Sequence, residues 1–324
     1  MMQKASLNSG LNPGKKMVKQ SSTISIFLIL VVMCAIMAVV SPAFIKISNI
    51  LSTARSFSAI AVAGIGVSMI IITGGIDLSI GSVYGLAGVI SAMLVVSGVP
   101  LLPGIIGGMV IGSVVGLLNG LMVVYLKLPP FIATMGTMQI ARGVCYIITH
   151  GYPISNLPMD YTVLGQGYLL GIPAPIWVMI FIAILFAIFL NMTTTGRRIF
   201  ALGGNEEATR ISGINTKRLK VLVYTLGAAL AGLAGIITAS KLGVGQPTAG
   251  IGFEMDAIAA VVIGGASLSG GEGTVTGTII GAAIIGVLRN ALVLLSVDSY
   301  WQTLIIGCVI ILAVTIDQLR KGRK

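Results

Sequence analysis

Charge is scarce in this chain: only 9% of its 324 residues are charged, with nine acids against twenty bases, while 56% are hydrophobic. A soluble globular chain carries about a quarter charged residues, so water is excluded as the solvent for most of this surface and a bilayer takes its place. Histidine occurs once, at His150. A lone histidine makes neither a metal site nor a catalytic triad, which leaves a helix-end interfacial role. The three cysteines, Cys34, Cys145 and Cys308, each lie in or beside an apolar run, without metal-site or disulfide spacing. There is no G-x-x-x-x-G-K-[ST], no H-E-x-x-H and no G-x-S-x-G. With few intramembrane acids a proton relay is also hard to build, so uphill transport must draw its energy from another subunit. The scattered acids supply no titratable cluster at one depth either, so an enzyme is not expected, nor any metal or cofactor.

The bases gather in three places. Lys4, Lys15, Lys16 and Lys19 precede the first apolar run; Arg197, Arg198, Arg210, Lys217, Arg218 and Lys220 occupy a central loop; Arg320, Lys321, Arg323 and Lys324 close the chain. They follow no single face and are not interleaved with aromatics, so the partner is the bilayer and not nucleic acid. Under the positive-inside rule all three segments are cytoplasmic. Residues 24–40 are longer than a usual signal core and lack an A-x-A site, which favours a retained anchor over a cleaved leader.

Apolar stretches near 22–43, 58–73, 80–97, 101–126, 130–149, 174–190, 221–240, 254–267, 275–296 and 301–317 predict an all-α polytopic protein of about ten spans. The division is a cytoplasmic tail at 1–21, one transmembrane domain at 22–320 and a tail at 321–324. An even count places both termini and the loop 191–220 on one side. Loop 150–173 then faces outward and contains no lysine or arginine, as expected; loop 44–57, assigned the same side, carries Lys46 and Arg55 against the rule. In the fourth span Gly108, Gly112, Gly116 and Gly120 recur every four residues and stack on one helix face, which invites close packing with a neighbour in this chain or in a second copy.

Residues 72–81, ITGGIDLSIG, are echoed by 262–271, VIGGASLSGG, so that Gly74, Gly75, Leu78, Ser79 and Gly81 return as Gly264, Gly265, Leu268, Ser269 and Gly271. The expectation is an internal two-fold repeat with short or broken helices at matching places, a recurrent transporter design; a chance match between two glycine-rich segments is the competing account. Asp77, the only acid in the first 159 residues, suits two roles in the first break: a wall or gate of the permeation path, or a cap accepting the N–H groups of 79 and 80. Glu254 and Asp256 open the eighth span, where acids complement the helix dipole. Arg142 and Arg289 stand in or near spans, to pair with acids or to snorkel. Polarity within apolar spans makes Asp77, Ser79, Thr134, Thr137, Gln139 and Ser269 the candidate pathway or gate residues.

The loop 191–220 is mostly polar, and within it Asn205-Glu206-Glu207-Ala208-Thr209-Arg210 reads as a capped short helix ended by Gly213. A short helix outside the membrane is a handle for a soluble partner; a solvated basic loop that fixes topology explains the arginines but not the cap and the glycine.

Four stretches, ALGGNEEATRISGI at 201–214, QPTAGIGFEMDAIAAVVIGGASLSGGEGTVTGTIIGA at 246–282, GGIDLSIGS at 74–82 and PPFIATMGTM at 129–138, closely resemble the membrane permeases of bacterial ABC sugar importers of the ribose type, in the same order and over roughly residues 22–320. The resemblance implies a multi-pass inner-membrane subunit, both termini cytoplasmic. It pairs with a second permease copy or close relative, binds cytoplasmic ATPase subunits and receives a monosaccharide, ribose or a similar sugar, from a periplasmic binding protein. It places Glu206–Gly213 in the loop that docks onto the ATPase. A stand-alone secondary transporter or facilitator for a small polar solute is the alternative that the repeat and broken spans also suit.

Overall fold

The computed structural model describes residues 13–321; of the expected tails, 1–21 and 321–324, residues 1–12 and 322–324 lie outside the described residues. The helices, in chain order, are α1 (Pro13–Val40), α2 (Ile47–Ile72), α3 (Ile80–Val96), α4 (Leu101–Tyr125), α5 (Pro130–Thr149), α6 (Met159–Gln166), α7 (Ala174–Met192), α8 (Thr194–Gly204), α9 (Glu206–Ile211), α10 (Thr216–Leu242), α11 (Phe253–Ile263), α12 (Val275–Leu294) and α13 (Ser299–Lys321). A two-residue antiparallel ribbon, β1 (Tyr168–Leu169) with β2 (Ile172–Pro173), sits between α6 and α7. Each of the ten apolar runs falls on a helix. Among the described residues seven helices are long and apolar enough to cross a bilayer, α2, α4, α5, α7, α10 and α12 together with Thr23–Val40 of α1; α3 and Ser299–Leu312 of α13 are shorter apolar helices. The chain is therefore a helical polytopic membrane protein. The N-terminal segment read as a tail through residue 21 is already helical from Pro13.

Local chemistry sets most helix ends. α4, α5 and α7 start at prolines that cannot continue a preceding ladder. α10 starts on the side chain of Asn215, which accepts from the Arg218 N–H at 3.0 Å, and stops at Gly243 in the left-handed region.

α10 is the hub, packed against α4, α2, α3 and α6, and from Val223 to Ser240 it is buried on most sides. The glycine face of α4 answers the question left open by the sequence: its neighbour is within this chain. A Cβ at Gly116 would stand 2.3 Å from the Tyr224 carbonyl oxygen, and one at Gly112 2.7 Å from that of Ala228, so α4 and α10 meet backbone to backbone. With its glycine face spent on α10, α4 turns Leu102, Ile106, Val110, Val114 and Leu118 outward. α2 is tied to α12 by a reciprocal amide pair, Asn49 with Asn290, at 3.0 and 2.8 Å.

Candidate coupling site and helix breaks

The two echoed segments are both helix–break–helix. α2 ends in a turn where the Gly74 N–H donates to Ile71 O at 2.9 Å and the Gly75 N–H to Ile70 O at 3.0 Å, with Gly74 at φ +77°. α11 ends in the same turn: the Gly265 N–H donates to Val262 O at 2.9 Å and the Ala266 N–H to Val261 O at 3.1 Å, with Gly265 at φ +87°. Both are Schellman caps, which demand a residue free to take positive φ. The caps match one residue out of step with the sequence echo, because Gly74 corresponds in conformation to Gly265 and not to Gly264.

The first break is filled by a buried polar cluster. Asp77, 1% exposed, accepts from the Ser79 N–H at 2.8 Å and the Ser79 hydroxyl at 2.6 Å. Asn119 of α4 donates to both carboxylate oxygens at 3.3 and 3.4 Å and to Ser79 Oγ at 2.9 Å. Thr134 of α5 accepts from the Leu78 N–H at 3.1 Å, and the Tyr224 hydroxyl of α10 donates to Ile76 O at 3.3 Å. The structure thus brings together three of the six pathway candidates, Asp77, Ser79 and Thr134, and adds Asn119, which sequence reasoning passed over. Its signal was available: it is the one amide in an otherwise apolar helix, one residue before Gly120. The cap expected of Asp77 is half present, through 79 and not 80. These residues are buried and hold the break. Thr137 is also buried, bonded to Ala133 O of its own helix at 2.8 Å, whereas Gln139 and Ser269 are exposed and stand apart from the cluster.

The other ionic residues in the spans are matched differently. Arg289 donates to both oxygens of Asp256 at 2.8 and 2.7 Å, so that acid is half of an ion pair as well as a helix-start charge. Arg142 meets backbone instead: it donates to Pro247 O, Ala249 O and Gly81 O at 2.6, 2.8 and 3.1 Å and staples the 243–252 loop to the start of α3. His150 caps α5 in the left-handed region.

The loop 191–220 is two helices, not one. α8 is capped by Thr193, which accepts from the Gly196 N–H at 3.0 Å, and it turns Gly196, Ile199 and Leu202 inward while Arg197 and Arg198 face out. Asn205 ends α8 and starts α9: its Oδ1 accepts from the Ala208 N–H at 2.9 Å. α9 closes on Gly213, at φ +80°, with Gly213 N–H to Arg210 O and Ile214 N–H to Thr209 O at 3.0 and 3.3 Å. Glu207 and Arg210 form a bidentate pair at 3.0 and 2.6 Å, which holds the Glu207 carboxyl below and the Arg210 guanidinium above their ordinary values. Glu206 reaches Lys220 of α10 at 2.6 Å. Thr209 is buried, its hydroxyl on Asn205 O at 2.8 Å. The outward face of α9 also shows Ile211, 74% exposed, a second feature not anticipated.

α8 meets both breaks. The Gly271 N–H donates to Ile72 O at 2.8 Å, which joins the second break to the end of α2. Gly203 lies directly on that bond: a Cβ there would be 1.7 Å from Ile72 O and 2.5 Å from Gly271 N. Three elements remote in sequence therefore touch through bare backbone, directly before the turn into α9.

Apolar crossings, two broken helices and a helix, α8, pressed on both breaks define a multi-pass membrane protein. The chain belongs to the family described as "Branched-chain amino acid transport system / permease component", which matches residues 49–314. It is 45% identical over 298 residues to the ribose import permease protein of Bacillus subtilis (strain 168), covering 91% of this chain and 92% of that one. The ribose import permease protein of Haemophilus influenzae is 42% identical over 323 residues, 98% of each chain. The D-allose transport system permease protein of Escherichia coli (strain K12) is 36% identical over 295 residues, 90% of each. No solved structure matches the chain. The resemblance to ribose-type permeases is borne out, and the relatives are transport permeases and not enzymes.

Proposed function

We propose that this chain is the membrane subunit of an ATP-driven importer for a monosaccharide, ribose or a close relative, in a bacterial inner membrane, with ten crossings and both termini cytoplasmic. Two copies, or this chain and a close relative, enclose the pathway; a periplasmic binding protein delivers the sugar and cytoplasmic ATPase subunits drive the cycle. α9 with the residues that cap it, Asn205 to Gly213, is the surface the ATPase grips. The observation that carries this reading is the contact of α8 with both helix breaks, since it gives a short exposed helix a rigid route to the spans. Closure of the ATPase pair displaces α9, α8 moves with it, and Gly203 bears on the Ile72–Gly271 bond. The two breaks then shift together, and the cluster of Asp77, Ser79, Thr134 and Asn119 acts as the gate of the first. Gln139 and Ser269, exposed in a single chain, and the buried Thr137 are the further candidates to meet a passing sugar.

Ribose and allose import by the relatives, at 36 to 45% identity, supports a sugar cargo. The test is co-purification of an ATPase subunit with the solubilised wild-type chain and with Glu207→Lys, which breaks the bidentate pair and reverses one charge on α9. Both co-purification and ATP-dependent sugar uptake in vesicles are expected to be lost in the variant. Uptake by the wild type with no ATPase present establishes a stand-alone facilitator instead.

A further inference from the structure

Two bases at the opposite end of the bundle take no part in coupling. Arg55 lies 17 residues before the end of α2, roughly 25 Å from the junction at 1.5 Å per residue, and Lys241 lies in the last turn of α10. They adjoin one another closely enough to interact electrostatically, and among the described residues neither forms a salt bridge. The Arg55 guanidinium sits over the ring of Tyr168, 4.8 Å from its centroid, and its Nε and Nη2 are shut off from solvent and donate to nothing. Lys241 Nζ donates only to Ser56 Oγ, at 3.0 Å. Like charges side by side with unmet donors are unfavourable unless an anion completes them. The sequence had flagged Arg55 as a base on the wrong side for the positive-inside rule, so topology does not explain it.

The surroundings are those of a membrane interface. β1 and β2 join through Leu170 and Gly171, both at positive φ, a tight turn that holds Leu170 84% exposed at its tip. Leu169 and Leu242 are also exposed, and the Trp177 indole N–H donates to Leu169 O at 3.1 Å. α6 is fixed beside them, with the Gly165 N–H on Ser240 Oγ at 2.6 Å. Cations at the ends of membrane helices, flanked by aromatic rings and exposed leucines, match a ligand with an anionic head and apolar tails. A free anion answers the cations but not the leucines.

We propose that Arg55, Ser56 and Lys241 hold the phosphate of an anionic phospholipid, whose acyl chains lie along Leu169, Leu170 and Leu242. The site lies apart from the coupling junction and does not depend on the identity of the cargo. The test compares the full wild-type chain with an Arg55→Gln/Lys241→Gln variant and with each single variant. Delipidated protein is titrated with phosphatidylglycerol, diacylglycerol or inorganic phosphate, and bound lipid is read by native mass spectrometry and by the melting temperature. Expected are retention of phosphatidylglycerol and a raised melting temperature in the wild type, no response to diacylglycerol or phosphate, and about tenfold or weaker lipid affinity in the double variant, as for the loss of charge-assisted bonds. Should the double variant fail to fold, Lys241→Gln alone is expected to lower the affinity in the same direction. Equal retention of phosphatidylglycerol by wild type and variants overturns the site, and protection by inorganic phosphate equal to that by lipid overturns the lipid as its occupant. A wild type that retains no lipid, but loses capture of its binding protein on Arg55→Gln, reassigns the cations to a protein carboxylate.

Discussion

Gly203→Ala adds one methyl where α8 presses on the breaks. The new carbon would lie 1.7 Å from Ile72 O and 2.5 Å from Gly271 N, both backbone atoms that no rotamer change can move. To reach even a tight 3.0 Å contact, α8 must retreat by roughly 1.3 Å, or the Gly271–Ile72 bond must open. Overpacking of this kind costs about 1–3 kcal/mol, and lost from a coupling between two sites, the same range corresponds to roughly five- to 150-fold. Proteoliposomes containing the chain with its ATPase and binding protein are then assayed for ATP hydrolysed and sugar accumulated. Since α9 and its outward side chains are untouched, the ATPase is expected to remain bound and active while sugar moved per ATP falls at least fivefold. Gly204→Ala is the control, because a Cβ there meets nothing within 4 Å, and its ratio should equal the wild type. The reasoning is refuted if Gly203→Ala keeps the wild-type ratio, or if it loses the ATPase altogether, since the second result would place Gly203 in docking and not in transmission.

Asn205→Ala removes the side chain that starts α9 and costs about 1 kcal/mol of that helix; faster amide exchange at Ala208 and Thr209 and weaker ATPase capture are expected, with Asn205→Asp close to wild type. Gly116→Val forces a branched side chain against the Tyr224 carbonyl, so the yield of monodisperse detergent-solubilised protein should fall sharply, whereas Gly136→Val, at a site with open space beside it, should not change it. The Glu207 carboxyl is held below its ordinary value of 4.5 by Arg210, so whatever the pair contributes is fully present above that pH and is lost only as pH falls through the lowered value. ATPase capture should therefore be flat from neutral pH down to about 5, and a midpoint near 6 or 7 would show that another group governs it.

The apolar helices were legible because a bilayer demands long apolar runs, and the α9 cap was legible because Asn205 and Gly213 act on backbone a few residues away. Asp77, Ser79 and Thr134 were picked out by polarity alone, yet only the fold showed that they belong to one cluster. Asn119 carried the same polarity signal, as the one amide of its helix, yet nothing local ties it to Asp77, 42 residues away in sequence. α6 and the β1–β2 ribbon lay hidden in a stretch read as loop, since eight residues and two residues are too short for a clear period. Contacts such as Gly203 with Ile72, or Gly116 with Tyr224, were invisible for a further reason: backbone meets backbone there, and the side chains that a sequence reports are not the atoms in contact.

That last property has a consequence for how such subunits diversify. A joint made of glycine and main chain carries no side-chain code to be kept in step with a partner. Under the proposed coupling, the exposed Glu206, Glu207, Arg210 and Ile211 of α9 can change to suit a different ATPase without touching the Gly203 joint. If the proposed coupling holds, exchange of the motor needs new residues on one exposed helix only, while any side chain added at Gly203 meets main chain.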